Sequence, residues 1–176
     1  MDKGAHFYRT DLQIHTPRDS KWVGRKPVTD EDRLGFARDF VVKCRELGIQ
    51  AVGITDHHDI CFIKYFQLAA QEASDGSGVR DLKSLIVRPE AQNPTVFPGI
   101  EVTLQVPCQC IVLLDADADP TMQSELLEAV QIGNRHSNDS PDGPQVAPLP
   151  MDLAELDTQI KTYASGRLRG RYIVLP

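Results

Sequence analysis

The sequence is short of the features that mark several protein classes. Aromatic residues make up 6% of it, and its four cysteines are scattered at Cys44, Cys61, Cys108 and Cys110. Thiols spaced this way form no disulfide scaffold, and no CxxC pair is present to seed a structural zinc knuckle. No apolar run approaches the roughly 20 residues needed to cross a bilayer. The opening MDKGAHFYRT has no apolar stretch of the secretory kind, so a cytoplasmic location is expected. The phosphate-binding pattern GxxxxGK followed by Ser or Thr is absent, so nothing supports an ATPase activity in these residues. Basic charge is short as well. The net charge of −6 argues against a broad electrostatic surface for nucleic acid. It does not exclude a site for a nucleic-acid end, because bound cations reverse the local field.

What is present suits one globular domain spanning residues 1–176. Hydrophobic residues make up 41% of the chain and charged residues 25%. Strand and helix patterns alternate. His6–Ile14 reads as a first strand, followed by a polar loop over 18–29. Thr29 or Asp30 can cap a helix over Glu31–Leu47, whose stripe Leu34, Ala37, Phe40, Val41, Cys44 and Leu47 has helical spacing. Gly48 ends it. Ile49–Thr55 is a second strand and Asp59–Ala73 a second helix. Ser74–Gly78 is a loop, and Leu82–Val87 is a strand or a helix end. Thr95–Phe97 enters a strand that Pro98-Gly99 interrupts, and Ile100–Val106 continues extended. Cys110–Leu114 is a buried strand, Pro120–Ile132 a helix, 133–150 a surface loop, Met151–Ala164 a helix and Arg171–Leu175 a last strand. The alternation predicts an α/β fold with a parallel sheet or a (β/α) barrel. A strand standing immediately before Pro176 reads as the mark of a domain incomplete at its C-terminus.

In such folds chemistry gathers at the carboxyl ends of strands. Three predicted strands lead there into polar groups: Asp11-Leu12-Gln13-Ile14-His15, Thr55-Asp56-His57-His58-Asp59 and Pro98-Gly99-Ile100-Glu101. Alternation puts Asp11, Gln13 and His15 on one face of the first strand. Imidazole and carboxylate together suit zinc, manganese or iron. Asp59 has a plainer reading as a helix cap, and His6 and His136 as solvated side chains.

The segments DLQIHT, GITDHHD and FPGIEVT resemble the first three motifs of the PHP (polymerase and histidinol phosphatase) domain. The HTPRD extension looks most like PHP domains at the N-terminus of AAA- or SMC-type ATPases. The resemblance runs from about Thr10 to Glu101 through these motifs and more weakly to Pro176. It implies a distorted (β/α)7 barrel whose two or three divalent metal ions hydrolyse phosphoesters. It makes His15, Asp19, His57 and Glu101 metal ligands, with His15, His57 and Glu101 catalytic and Glu101 bridging two ions. Asp11 and Asp56 would orient those ligands. Arg18 and Lys21, on the loop after the first strand, would hold a substrate phosphate or simply be solvated.

Two departures stand out. The family's first motif usually reads HxH, and here Gln13 replaces the first histidine. Its amide oxygen is a poor ligand for zinc, though it serves harder ions. Cys110 stands where many members have a His, either as a thiolate ligand or as a packed thiol. The family's last motif, an Asp and a His on a late strand, has no counterpart before Pro176. The expected substrate is a phosphorylated small molecule or a nucleic-acid end, and the expected partner an ATPase domain in the same or a neighbouring chain. The rival expectation is a degenerate, non-catalytic PHP module that regulates or docks onto such an ATPase.

Overall fold

The computed structural model describes residues 7–72, 93–132, 140–163 and 167–176. Over these the fold is mixed α/β. The expected loop Ser74–Gly78 and the element Leu82–Val87 lie outside the described residues, as does His6.

Strand β1 covers Thr10–Ile14 and leads by a long loop into helix α1, Asp30–Glu46. Thr29 is the cap: its hydroxyl accepts from the Asp32 amide at 3.1 Å. Asp30, Glu31 and Asp32 fill the positive first turn, and Lys43 and Arg45 the negative last one. Gly48, at φ 65°, ends the helix in a conformation that side chains resist. Strand β2 is Ala51–Ile54. Helix α2, Ile63–Glu72, starts four residues later than its pattern predicts. The Asp59 carboxylate accepts from the Cys61 amide and from Arg18, which holds 59–62 in turns.

Strand β3 runs unbroken over Thr95–Thr103, through the Pro98-Gly99 expected to interrupt it. Odd residues of β3 donate toward β2, as Thr95 does to the Gln50 carbonyl and Glu101 to the Asp56 carbonyl. The missing N–H of Pro98 therefore faces β4, where the ladder begins only at Gly99. Strand β4 is Gln109–Leu114. Helix α3, Pro120–Ala129, is capped by Asp119 and ends before Gln131, at φ 59°. Helix α4, Leu153–Tyr163, opens with reciprocal bonds between Asp152 and Glu155. Strand β5 is Tyr172–Leu175.

The sheet order is β1-β2-β3-β4-β5. Strands β1, β2 and β3 are parallel, but β3–β4 and β4–β5 are antiparallel. This corrects the parallel sheet drawn from alternation. The link from β3 to β4 is only residues 104–108, too short for a parallel crossover. Among the described residues two helices separate β4 from β5, and the two strands pair antiparallel. Among the described residues β1 and β5 are the two ends of the sheet, and no pairing closes a barrel.

Residues directly opposite on paired strands share a face. One face carries Val52, Ile54, Val96, Ile100, Val102, Cys110, Val112 and Leu114. These pack in two clusters under the helices, α1 and α2 at one end and α3 and α4 at the other. The other face carries Gly53, Gly99, Glu101 and Leu113. A Cβ on Gly53 would stand 2.5 Å from the Leu12 carbonyl oxygen, and one on Gly99 2.7 Å from Leu113. Leu113 thus lies across both glycines. No described helix is long and apolar enough to cross a membrane.

Candidate metal centre

Because β1, β2 and β3 are parallel, their carboxyl ends share one edge of the sheet. His15 follows β1, Asp56-His57 follows β2, and Glu101 lies near the end of β3. Two bonds bring the last two together: the Glu101 backbone N–H donates to the Asp56 carbonyl at 3.0 Å, and the His58 backbone N–H donates to the Glu101 carbonyl at 3.1 Å.

Glu101 is 2% exposed. His15 Nε2 lies 3.0 Å from its Oε2, and His57 Nδ1 lies 3.5 Å from its Oε1. The two imidazole rings are 4.6 Å apart at 54°. One ligand atom from each of His15, His57 and Glu101 falls within 4.8 Å of the others. Two ring nitrogens, His15 Nδ1 and His57 Nδ1, are shielded from solvent and make no hydrogen bond. Asp19 Oδ2 is 3.1 Å from His15 Nδ1, but not in hydrogen-bonding alignment. Buried polar atoms without partners are costly. A divalent cation beside Glu101 would take up the His57 Nδ1 orphan and meet His15 through Nε2, leaving His15 Nδ1 toward Asp19. The donor set therefore fits a metal ion of the zinc, manganese or iron kind.

No family model matches the sequence, and no curated protein matches it. A solved structure that resembles it is a proposed metal-dependent phosphoesterase from Bifidobacterium adolescentis. It is 16% identical over 70% of this chain and 33% of that one, with a TM-score of 0.41. This chain spans only 33% of that protein's length, and the likeness is too distant to carry an argument.

The remaining expected residues divide. Asp56 is buried, and both its oxygens accept from Thr16, from the amide and the hydroxyl, each at 2.6 Å. It thereby fixes the residue after His15. Burial pushes its carboxyl up to about 6, against the opposing pull of the Thr16 bonds. Asp19 stands behind His15, on the ring nitrogen turned away from Glu101. The Gln13 amide donates through Nε2 to Glu101 Oε2 at 2.8 Å. Asp11 is exposed and accepts from the Gln13 amide N–H at 3.3 Å.

Arg18, expected at a substrate phosphate, is turned inward. It is 2% exposed, ion-paired with Asp59, and bonded to the Ser140 carbonyl at 2.6 Å. A guanidinium committed to buried partners is a structural brace. Lys21 stays on the exposed loop, where its amide donates to Asp19 Oδ1 at 2.7 Å. Cys110 pairs in register with Val102, one residue along from Glu101, so it faces the helices rather than the centre. Burial pushes its thiol up to about 11. Its thiol is packed in the core cluster under the helices.

Thr16 and His58 escaped the sequence reading. His58 adopts φ 53°, and its Nε2 accepts from the Thr103 amide at 3.1 Å. That left-handed step separates two consecutive histidines, one toward the centre and one onto β3. Adjacency to His57 was the sole signal, and it does not distinguish the two roles.

Proposed function

We propose that this chain is a metal-dependent phosphoesterase of the PHP type. The observation that carries the reading is the His15–His57–Glu101 cluster, with the orphaned His57 Nδ1 turned toward Glu101, at the shared carboxyl edge of β1, β2 and β3. The three motif segments supply the reaction class. On this reading the five-stranded sheet belongs to a distorted (β/α)7 barrel, the location is cytoplasmic, and an ATPase domain is a partner. A phosphomonoester, a nucleotide or a nucleic-acid end is the substrate.

A bound divalent ion supplies Lewis acidity toward a phosphoryl oxygen and makes water nucleophilic near neutral pH. The chain's own groups do the rest. His15 and His57 present ring nitrogens to the ion, and Glu101 adds the negative charge that holds it. Asp19, 3.1 Å from the far nitrogen of His15, would orient that ring once the two come into hydrogen-bonding alignment. Asp56, through Thr16, fixes the distance between the two strand ends.

The test is hydrolysis of p-nitrophenyl phosphate and its bis ester, before and after chelation. Stripping metal is expected to lower turnover by about a hundredfold or more, and manganese to restore it. His57→Ala is expected to remain inactive with manganese. Gln13, a neutral amide where an imidazole is expected, favours a second reading as a non-catalytic regulatory module. Turnover of neither ester with manganese present would support that reading over the enzymatic one.

A further inference from the structure

We propose that Gln13 restricts this centre to a single divalent ion. The inference rests on the metal-centre reading above and narrows it. A carboxylate oxygen offers two lone-pair directions. On Glu101 Oε2 one is taken by Gln13 Nε2 at 2.8 Å, and the other faces His15 Nε2 at 3.0 Å. Oε1 faces His57 Nδ1 at 3.5 Å. An ion bound by both imidazoles and Glu101 therefore sits on the side of the carboxylate that the imidazoles share.

A second ion, bridged by the same carboxylate, would have to reach Oε2 along the direction that Gln13 occupies. The NH2 end of the amide is fixed there, because a carboxylate accepts and cannot donate. That end is a donor and cannot ligate. To admit an ion it would have to turn away and give up a charge-assisted hydrogen bond. Its oxygen, once turned, is a weak ligand beside imidazole. No replacement comes from β4, where Cys110 faces the helices. Asp19 lies beside the far nitrogen of His15, on the side turned away from Glu101. Gln13 is thus a positioning residue: it stands in for a second cation with a neutral donor and holds Glu101 in one rotation.

The test is titration of the chelated full chain with manganese(II) chloride, read by calorimetric stoichiometry and by electron paramagnetic resonance. The wild type is expected to bind one ion with the six-line spectrum of isolated manganese. Gln13→Ala, which clears that direction without adding a ligand, is expected to take up a second ion weakly and to hold the first about ten- to a hundredfold less tightly. Gln13→His, checked for folding by circular dichroism, is expected to bind two ions with a broadened, exchange-coupled spectrum. Two coupled ions in the wild type, or one ion in folded Gln13→His, would overturn this proposal and leave the phosphoesterase reading standing. No binding in the wild type would overturn both.

Discussion

Asp59 and Glu101 are both carboxylates, both 2% exposed, and they are neutralised in opposite ways. Asp59 meets a guanidinium, Arg18, and the Cys61 amide, so its charge is balanced within the fold. Glu101 meets two imidazoles and an amide, and among the described residues no Lys or Arg pairs with it. The first arrangement is closed, and a further cation would add nothing. The second leaves a negative charge in a desolvated place with no permanent counter-ion. Burying a charge that way costs several kcal/mol unless something outside the chain supplies the opposite sign. Asp56 is the third case: it has hydrogen bonds from Thr16 and no ion pair, and its carboxyl rises to about 6.

Three variants press on that contrast. Arg18→Met should have the largest effect, because it strands the Asp59 charge. Unfolding in urea should show a loss of about 3–5 kcal/mol. A loss below about 1 kcal/mol would mean that Asp59 is not balanced by Arg18 at all. Asp56 comes next. Its folded carboxyl is raised from 3.8 to about 6. Its contribution to stability is therefore full at low pH and lost as the pH rises from about 4 through 6, by about 3 kcal/mol. Asp56→Asn, compared with the wild type in urea melts of metal-free protein, should flatten that part of the profile. An unchanged profile would show that Asp56 does not carry it. Glu101→Gln should be the least destabilising: in metal-free protein it should match or exceed the wild type in stability, since it removes an unbalanced charge. It should also abolish the stabilisation that manganese gives the wild type, about 2.7 kcal/mol at a hundred times Kd. If metal-free Glu101→Gln unfolds as readily as Arg18→Met, the distinction between the two carboxylates fails.

Local structure was the most legible part of the sequence. The Thr29 cap, the Gly48 stop and the apolar stripe of α1 follow from rules that act within one turn of a helix. The grouping of His15, His57 and Glu101 was legible because strand ends in α/β folds converge, and each residue stood at one. Strand direction was not legible. It depends on the short 104–108 link, which an alternation pattern does not weigh. Arg18 was misjudged because its partners Asp59 and Ser140 are distant in sequence, and a charged loop residue looks solvated until those partners are known. The contact of Gln13 was hidden for a different reason. Its substitution for histidine was plain, but which end of the amide faces Glu101 depends on a carboxylate 88 residues away.

The brace built on Arg18 bears on the order in which this chain folds. Its bond to Ser140 spans 122 residues, against 40 for Thr16–Asp56 and 86 for His15–Glu101. Gly143 returns a bond to the Arg18 carbonyl, and Lys26 pairs with Asp142, so the 140–143 segment is latched onto the loop that follows β1. Contacts between distant residues form after nearer ones have reduced the entropy of closing them. By that entropy the latch is the costliest of the three to close, by about 1 kcal/mol over the Thr16–Asp56 contact and about 0.3 kcal/mol over His15–Glu101, so it is expected to close over a β1 loop whose strand ends have already met.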